Sequence, residues 1–420
     1  MRRFTPFLVA AAFLTLIGCG SSSDSEVPAL DRAGWTESTY DDLGSVIADG
    51  AGQGRVALFD FDNTVQGRDV GEAALGHADE SGSIDPASVP TALAPPVTVD
   101  GRTVTVADGL NAYYEAVMAS GEGVDPLREY SSLPLVATLF SGRTVEQFTE
   151  EVASAYGDAD GDPSTFRDSA GYREMASGGM DELAGHGRPF IYPQMADLLG
   201  NLGANGYEVW VVSAGVAWAV RWMVKNALNP AIAAKYGRDA TLPLDRVIAI
   251  TTIMRDRNTG ALVSDYELVR HRRDRAYTNL DPSRLRQLEI TALPDGLTSW
   301  RGGKGGAVDN LITRDDVYFA AGDSNGDLEM LDRSANRLVI ARMNKPDLIQ
   351  QFNDEIESDP DANWIVQPTV STAPAGFAAT RCALKKRFDL LRAPEETRVD
   401  VERSTSLLEA NPFVGSYMDC

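Results

Sequence analysis

Asp60-Phe61-Asp62-Asn63-Thr64 stands directly after the apolar run Arg55-Val56-Ala57-Leu58-Phe59. Two aspartates two positions apart point the same way in an extended chain, so both can address one phosphoryl group. One carboxylate can attack phosphorus and form an aspartyl-phosphate. The other can protonate the leaving oxygen and later take a proton from water. Ser213 ends a second apolar run in Val211-Val212-Ser213-Ala214-Gly215. Its hydroxyl and the open backbone N–H groups at Ala214 could hold a phosphoryl oxygen. Lys304 sits among glycines in Gly302-Gly303-Lys304-Gly305-Gly306. The helix dipole disfavours a cation at a helix start, so a nearby anion would explain it. Asp323 and Asp327 follow a third run in Gly322-Asp323-Ser324-Asn325-Gly326-Asp327, spaced to share one side of a helix start. With Asp60 they can form an oxygen cage for a hard cation such as Mg²⁺. Each feature has a plainer reading in isolation: a polar loop, a serine cap, a solvated lysine, an N-cap beside an acid.

The elements that must position these groups are strands followed by helices. Arg55–Phe59, Tyr207–Val212 and Val317–Ala321 read as buried strands, with Leu338–Ala341 and Trp364–Val366 as a fourth and fifth. Helical spacing covers Trp35–Ala48, 107–156, 164–186, Phe190–Leu202 after Pro189, Ala217–Ala227 and Lys304–Ile312. Val247–Met254 and Ala261–Val263 read as a hairpin around Arg257-Asn258-Thr259-Gly260. Residues 79–105 read as irregular structure or a small β element. Alternation of this kind predicts an α/β fold with a doubly wound parallel sheet. Ligands then bind at the carboxyl ends of the strands, where the acids lie.

Taken together and in this order, the four motifs resemble the haloacid dehalogenase-like (HAD) superfamily over residues 55–68 and about 206–345. That resemblance implies Asp60 as nucleophile and Asp62 as acid/base. It implies that Thr64 orients the loop and that Ser213, Ala214 and Lys304 bind the phosphoryl group. It also implies a Mg²⁺ held by Asp60, the Asp62 carbonyl and Asp323, with Asp327 in support. Related dehalogenases lack the second aspartate and related ion pumps carry a lysine there, so Asp62 favours phosphate-ester hydrolysis. The 149 positions from Thr64 to Ser213 exceed any crossover and imply a large, mostly helical cap that covers the site.

Within that branch the chain is similar to phosphoserine phosphatases, and over 247–263 and Asn363–Val366 to bacterial exported phosphorylcholine phosphatases. A choline head calls for aromatic faces. None follows the nucleophile loop at Val65-Gln66-Gly67, and Tyr113, Tyr114 and Tyr130 are the cap's candidates. The expected activity is hydrolysis of a small phosphomonoester. The alternatives are a phosphoserine phosphatase in the narrow sense and a catalytically idle binding lipoprotein.

Arg2, Arg3 and the apolar Phe7–Ile17 read as a secretory signal over 1–18, and Leu16-Ile17-Gly18-Cys19 resembles a lipobox. The expected location is outside the cytoplasm, anchored to a bacterial membrane by a lipid on Cys19. A flexible tether over 19–32, a core over 33–68 and 206–370, a cap over 69–205 and an extension over 371–420 are expected. Removing Arg2 and Arg3 from the formal charge of −23 leaves −25, which argues against nucleic acid as a partner. Cys382 and Cys420 can pair in an oxidising compartment. With His77, His186 and His271 scattered, no zinc site of ordinary spacing is available. Asp158-Ala159-Asp160-Gly161-Asp162 opens like a calcium loop, but Pro163 and Ser169 stand where its glycine and glutamate belong.

Overall fold

The computed structural model describes residues 27–121, 132–156, 189–270, 274–296, 298–312, 314, 317–370, 376–388 and 395–411. The expected signal segment, Cys19, Tyr130, residues 158–162, the helix expected at 164–186, His186, His271 and Cys420 lie outside these residues.

Along the chain the strands are β1 (Val56–Phe59), β2 (Gln66–Gly67), β3 (Val97–Val99), β4 (Arg102–Val104), β5 (Phe190–Ile191), β6 (Glu208–Val216), β7 (Val247–Ile250), β8 (Thr252–Asp256), β9 (Leu262–Val263), β10 (Leu288–Pro294), β11 (Val317–Gly322), β12 (Asn336–Arg342), β13 (Asn363–Val370) and β14 (Gly376–Phe377). Seven of them form the central sheet in the order β14-β13-β12-β11-β1-β6-β7. All pairings in it are parallel except β13 with β14. β1 is buried at every position because both of its faces are covered. Ala57 and Phe59 join one core with Phe319 and Leu338; Val56 and Leu58 join the other with Val212 and Ala320. From β1 the chain first builds outward to β6 and β7, then returns to β11 and builds the other way. The strand order therefore reverses at β1, and its carboxyl end opens a crevice suited to a ligand.

The cap lies between β1 and β6. It contains helices Val70–Ser81, Leu110–Gly121, Leu135–Leu139 and Val145–Tyr156, and the hairpin β3–β4. Asp100 and Gly101 turn that hairpin with φ of 51° and 77°, the left-handed pair that a two-residue turn of this hand needs. The two connections between core and cap run side by side as β2 and β5, with Gln66 opposite Ile191.

Several expectations change. Phe190–Ile191 is strand rather than helix, because it pairs with β2; the helix begins at Pro193. The Val247–Met254 run divides at Thr251: β7 joins the core beside β6, and β8 leaves for a separate sheet of order β10-β8-β9. That small sheet reaches the cap. Gly142 donates to the Ile290 carbonyl at 2.9 Å, and Ile290 donates to that of Arg143 at 2.8 Å. Residues 27–32 are not a loose tether. Leu30 is buried, the Asp31 amide donates to Asp197 at 2.6 Å, and Lys235 holds the Ala29 carbonyl at 3.0 Å. Nor does the core stop at residue 370, since β14 extends its sheet and helix Glu395–Glu409 packs on helix Pro346–Ser358. Among the described residues no helix is long and apolar enough to cross a membrane.

Candidate active site

Asp60 sits where β1 ends, fixed by its amide, which donates to the Ala321 carbonyl of β11 at 2.9 Å. The loop then folds tightly on itself. The Phe61 carbonyl accepts from Val65 at 2.8 Å and Gln66 at 2.9 Å, and Asn63 adopts a left-handed φ of 59°. Asparagine tolerates that conformation at little strain. Thr64 is thereby turned inward. Its hydroxyl lies 3.0 Å from Asp60 Oδ2 and 3.2 Å from Asp323 Oδ1, joining two motifs 259 positions apart.

Lys304 is buried between acids: its ammonium donates to Asp60 Oδ1, and to Asp327 Oδ1 at 2.5 Å. The segment is steered there by a strained Arg301, at φ 46°, and by the helix Gly302–Ala307. Burial pushes the Lys304 ammonium down, but Asp327 and Asp60 more than offset it and the net shift is upward. Asp327 Oδ2 accepts from the amides of Asp323 and Ser324, each at 2.9 Å. Both Asp327 oxygens are thus committed to shaping the loop and holding the lysine. Gly322 permits this approach, because a Cβ there would stand 2.5 Å from Asp327.

Asp60, Asp323 and Asp327 each bring one carboxylate oxygen within 4.8 Å of the others. Burial raises the Asp60 carboxyl, with Asp327 pushing it further up and Lys304 pulling it back. Asp323 lies well above the carboxylate range, mainly through burial, with Arg342 opposing and Asp327 and Asp60 reinforcing. Arg342, at the end of β12, pairs with Asp323 Oδ2 at 2.9 Å. A buried, mutually repelling, all-oxygen donor set fits a hard divalent cation such as Mg²⁺.

Asp62 is set apart. Its carboxylate is outside the triad and accepts from Gln66 Nε2 at 2.5 Å and from the Ser213 hydroxyl at 3.1 Å. Burial raises it well above the usual range, and Asp69 and Asp60 add to the effect. A buried carboxyl that holds its proton more readily than an ordinary one is what acid/base chemistry uses. Ser213, expected on a phosphoryl oxygen, is fully buried and spans Asp62 and the Gly215 amide, 2.9 Å away. Gly215 must lack a side chain, since a Cβ would lie 2.5 Å from Asp62 Oδ2.

These groups open on a cavity of about 160 Å³. Of the sequence-derived residues, Asp60, Asp62, Ala214, Lys304 and Asp323 line it, while Thr64, Ser213 and Asp327 are not on its wall and meet these acids and Lys304 from behind. Asp69, Glu72, Tyr114, Trp300 and Arg342 line it too, and sequence reasoning gave none of these but Tyr114 a place in it. Trp300, four positions before Lys304 in a glycine-rich loop, was the visible signal. Tyr113 instead turns into the cap core, donating to the Pro95 carbonyl at 2.9 Å. The Tyr114 hydroxyl donates to Glu72 at 2.9 Å. Burial, then Asp69, pushes Glu72 up to about 8. A larger cleft of about 740 Å³ lies between cap loops and the small sheet, lined by neither these acids nor Lys304.

No family model matches the chain. Over 377 residues it is 25% identical to the phosphorylcholine phosphatase of Pseudomonas aeruginosa, covering 86% of this chain and 96% of that protein. This similarity supports the resemblance to HAD-like phosphatases carried by the four motifs. Among solved structures, a conserved functionally unknown protein from Anaerococcus prevotii is similar at 18% identity. It covers 84% of this chain and 97% of that one, with a TM-score of 0.46. A substrate-bound phosphoserine phosphatase complex is similar at 14%, covering 68% and 85%, with a TM-score of 0.33.

Proposed function

We propose that this chain is a Mg²⁺-dependent phosphomonoester hydrolase that works through an aspartyl-phosphate on Asp60, and that its ester is small and carries a cationic head. The observation that carries the reading is the division of labour between two neighbouring carboxyls. Asp60 faces Lys304 and two further acids. Asp62 is held away from Lys304 and hydrogen-bonded by Gln66 and Ser213, and burial raises its carboxyl well above the usual range.

In the first half of the reaction an Asp60 oxygen bonds to phosphorus. The ester P–O bond breaks, and its electron pair stays on the leaving oxygen, which takes the Asp62 proton. In the second half a water oxygen bonds to phosphorus and its proton returns to Asp62. The Asp60–phosphorus bond breaks and its electrons restore the carboxylate. Lys304 orients Asp60 and offsets charge on the phosphoryl oxygens. Asp60, Asp323 and the Asp62 carbonyl would hold the Mg²⁺, with Asp327 fixing their loop. Such an ion, when bound, neutralises phosphoryl charge and aligns the group for in-line attack.

Glu72, Asp69, Tyr114 and Trp300 on the cavity wall support a cationic head, which acids and aromatic faces attract. They also answer the lack of an aromatic after the nucleophile loop. The named relative acts on phosphorylcholine, in line with this wall. Arg342 in the same cavity favours a second reading, phosphoserine, whose carboxylate a guanidinium could grip. An idle scaffold has less support, because every motif acid is present and assembled. Cys382 is disulfide-bonded, which supports an oxidising, exported setting.

The test is hydrolysis of p-nitrophenyl phosphate with and without Mg²⁺, followed by kcat/KM for phosphocholine and phosphoserine. Mg²⁺-dependent turnover with phosphocholine preferred is expected. No turnover by folded protein would favour the binding scaffold. A preference for phosphoserine that Arg342→Ala removes would favour the second reading.

A further inference from the structure

Gln66 is fully buried where the chain leaves the core for the cap. Its Nε2 donates to Asp62 Oδ1 at 2.5 Å and to the Arg68 carbonyl at 3.1 Å. Its Oε1 is buried and, among the described residues, has no hydrogen-bond partner. An orphaned buried acceptor costs about 1–3 kcal/mol. Methionine would fill similar space without that cost, so the amide calls for a reason.

Asp62 supplies one. In the reaction above it is protonated in one state and ionised in the next. When ionised, it accepts from Nε2 as observed. The second bond of Nε2, to the Arg68 carbonyl, fixes the amide in this orientation, so it holds Asp62 Oδ1 throughout. On the other Asp62 oxygen the Ser213 hydroxyl can turn from donor to acceptor when the carboxyl carries its proton.

We propose, on the strength of the hydrolase reading above, that Gln66 is a positioning residue for Asp62. Its amide keeps the Asp62 carboxyl aimed at the leaving oxygen through both halves of the reaction. The paired ribbon β2–β5 fixes the Gln66 backbone, so that aim is set at the junction with the cap.

The chemistry separates this role from a merely structural one. A p-nitrophenolate leaving group departs without a proton, whereas an alkyl oxygen does not. Breakdown of the aspartyl-phosphate needs Asp62 as base with either ester. Wild type, Gln66→Met and Gln66→Asn are compared on p-nitrophenyl phosphate and phosphocholine, with stopped-flow detection. Gln66→Met should release p-nitrophenolate in a burst equal to the enzyme present, then turn over slowly. Its kcat on phosphocholine should fall on the order of 10²-fold, the usual contribution of one acid/base group. KM and the Mg²⁺ half-saturation should not move. Gln66→Asn, whose amide stops one carbon short, should show the same burst. In an Asp62→Asn background, Gln66→Met should cost nothing further. Equal loss on both esters without a burst, wild-type rates in both variants, or an undiminished cost in the Asp62→Asn background would each overturn the role. A wild-type enzyme that hydrolyses neither ester would instead overturn the hydrolase reading beneath it.

Discussion

Asp60 and Asp62 differ by two positions and by their surroundings, and the proposed chemistry rests on that difference. Lys304 stands between Asp60 and Asp327 with every polar contact charged. Removing one partner of a buried ion pair leaves uncompensated charge and costs about 3–5 kcal/mol. We therefore expect Lys304→Met to abolish turnover and to lower stability by about 3 kcal/mol, read from urea unfolding. An unchanged midpoint would show that the acids have other compensation. Glu72 makes a second residue-scale test. Burial, then Asp69, holds its pKa near 8, far above its ordinary 4.5. The neutral form is favoured in the native state, so its contribution to stability is full at low pH and fades as pH rises through about 8. A cationic ligand should bind more tightly over the same rise, as Glu72 ionises. Choline affinity by calorimetry should therefore grow towards pH 8 in wild type and lose that trend in Glu72→Gln. A flat wild-type profile would remove Glu72 from head-group recognition.

At the scale of elements, the strand ends do the positioning, and helix Ala217–Met223 keeps the Ser213 segment in place. Trp218 Nε1 donates to the Tyr277 hydroxyl at 2.7 Å, and Tyr277 donates to Asp265. Arg221 grips both oxygens of that aspartate, at 2.5 and 2.9 Å. This network ties the helix to the small sheet's unit. Arg221→Met should cost about 3–5 kcal/mol by stranding Asp265, whereas the exposed Arg286–Glu146 pair should be worth under about 1 kcal/mol. Thermal unfolding of Arg221→Met and Arg286→Ala would show whether that order holds. Gly215→Ala should displace Asp62 and slow turnover of alkyl phosphates while the fold survives, because the new Cβ meets a side-chain oxygen rather than backbone. The strands that carry Asp60, Ser213 and Asp323 were legible because uninterrupted apolar runs ending in polar residues have few other uses. Three points were not. Phe190–Ile191 reads as helix until β2 is seen to pair with it. Thr251 marks a change of sheet that no local pattern announces. Asp69 and Glu72 reach the cavity only through the packing of cap on core, and Arg342 through the place of β12 in the sheet, neither of which spacing along one chain encodes.

At the scale of the whole molecule, the site lies where the strand order reverses, under a cap that the small sheet braces through β10. The chain beyond β13 belongs to the same body. Val401 and Leu408 are buried against it, and Cys382 is disulfide-bonded. Cys382→Ser should lower stability by about 2–4 kcal/mol, the usual worth of a native bridge, and leave kcat alone because the residue is not on the cavity wall. Loss of activity without loss of stability would mean that the tail reaches the site. A surface of this negative charge repels polyanions, in line with the small ester proposed above. The most direct test of the account is to quench the enzyme with acid during turnover of a phosphomonoester and map the covalently bound phosphoryl group by peptide mass spectrometry. It should sit on Asp60 alone, be released by hydroxylamine and be absent from Asp60→Asn. A phosphoryl group on another residue, or steady turnover in Asp60→Asn, would contradict it.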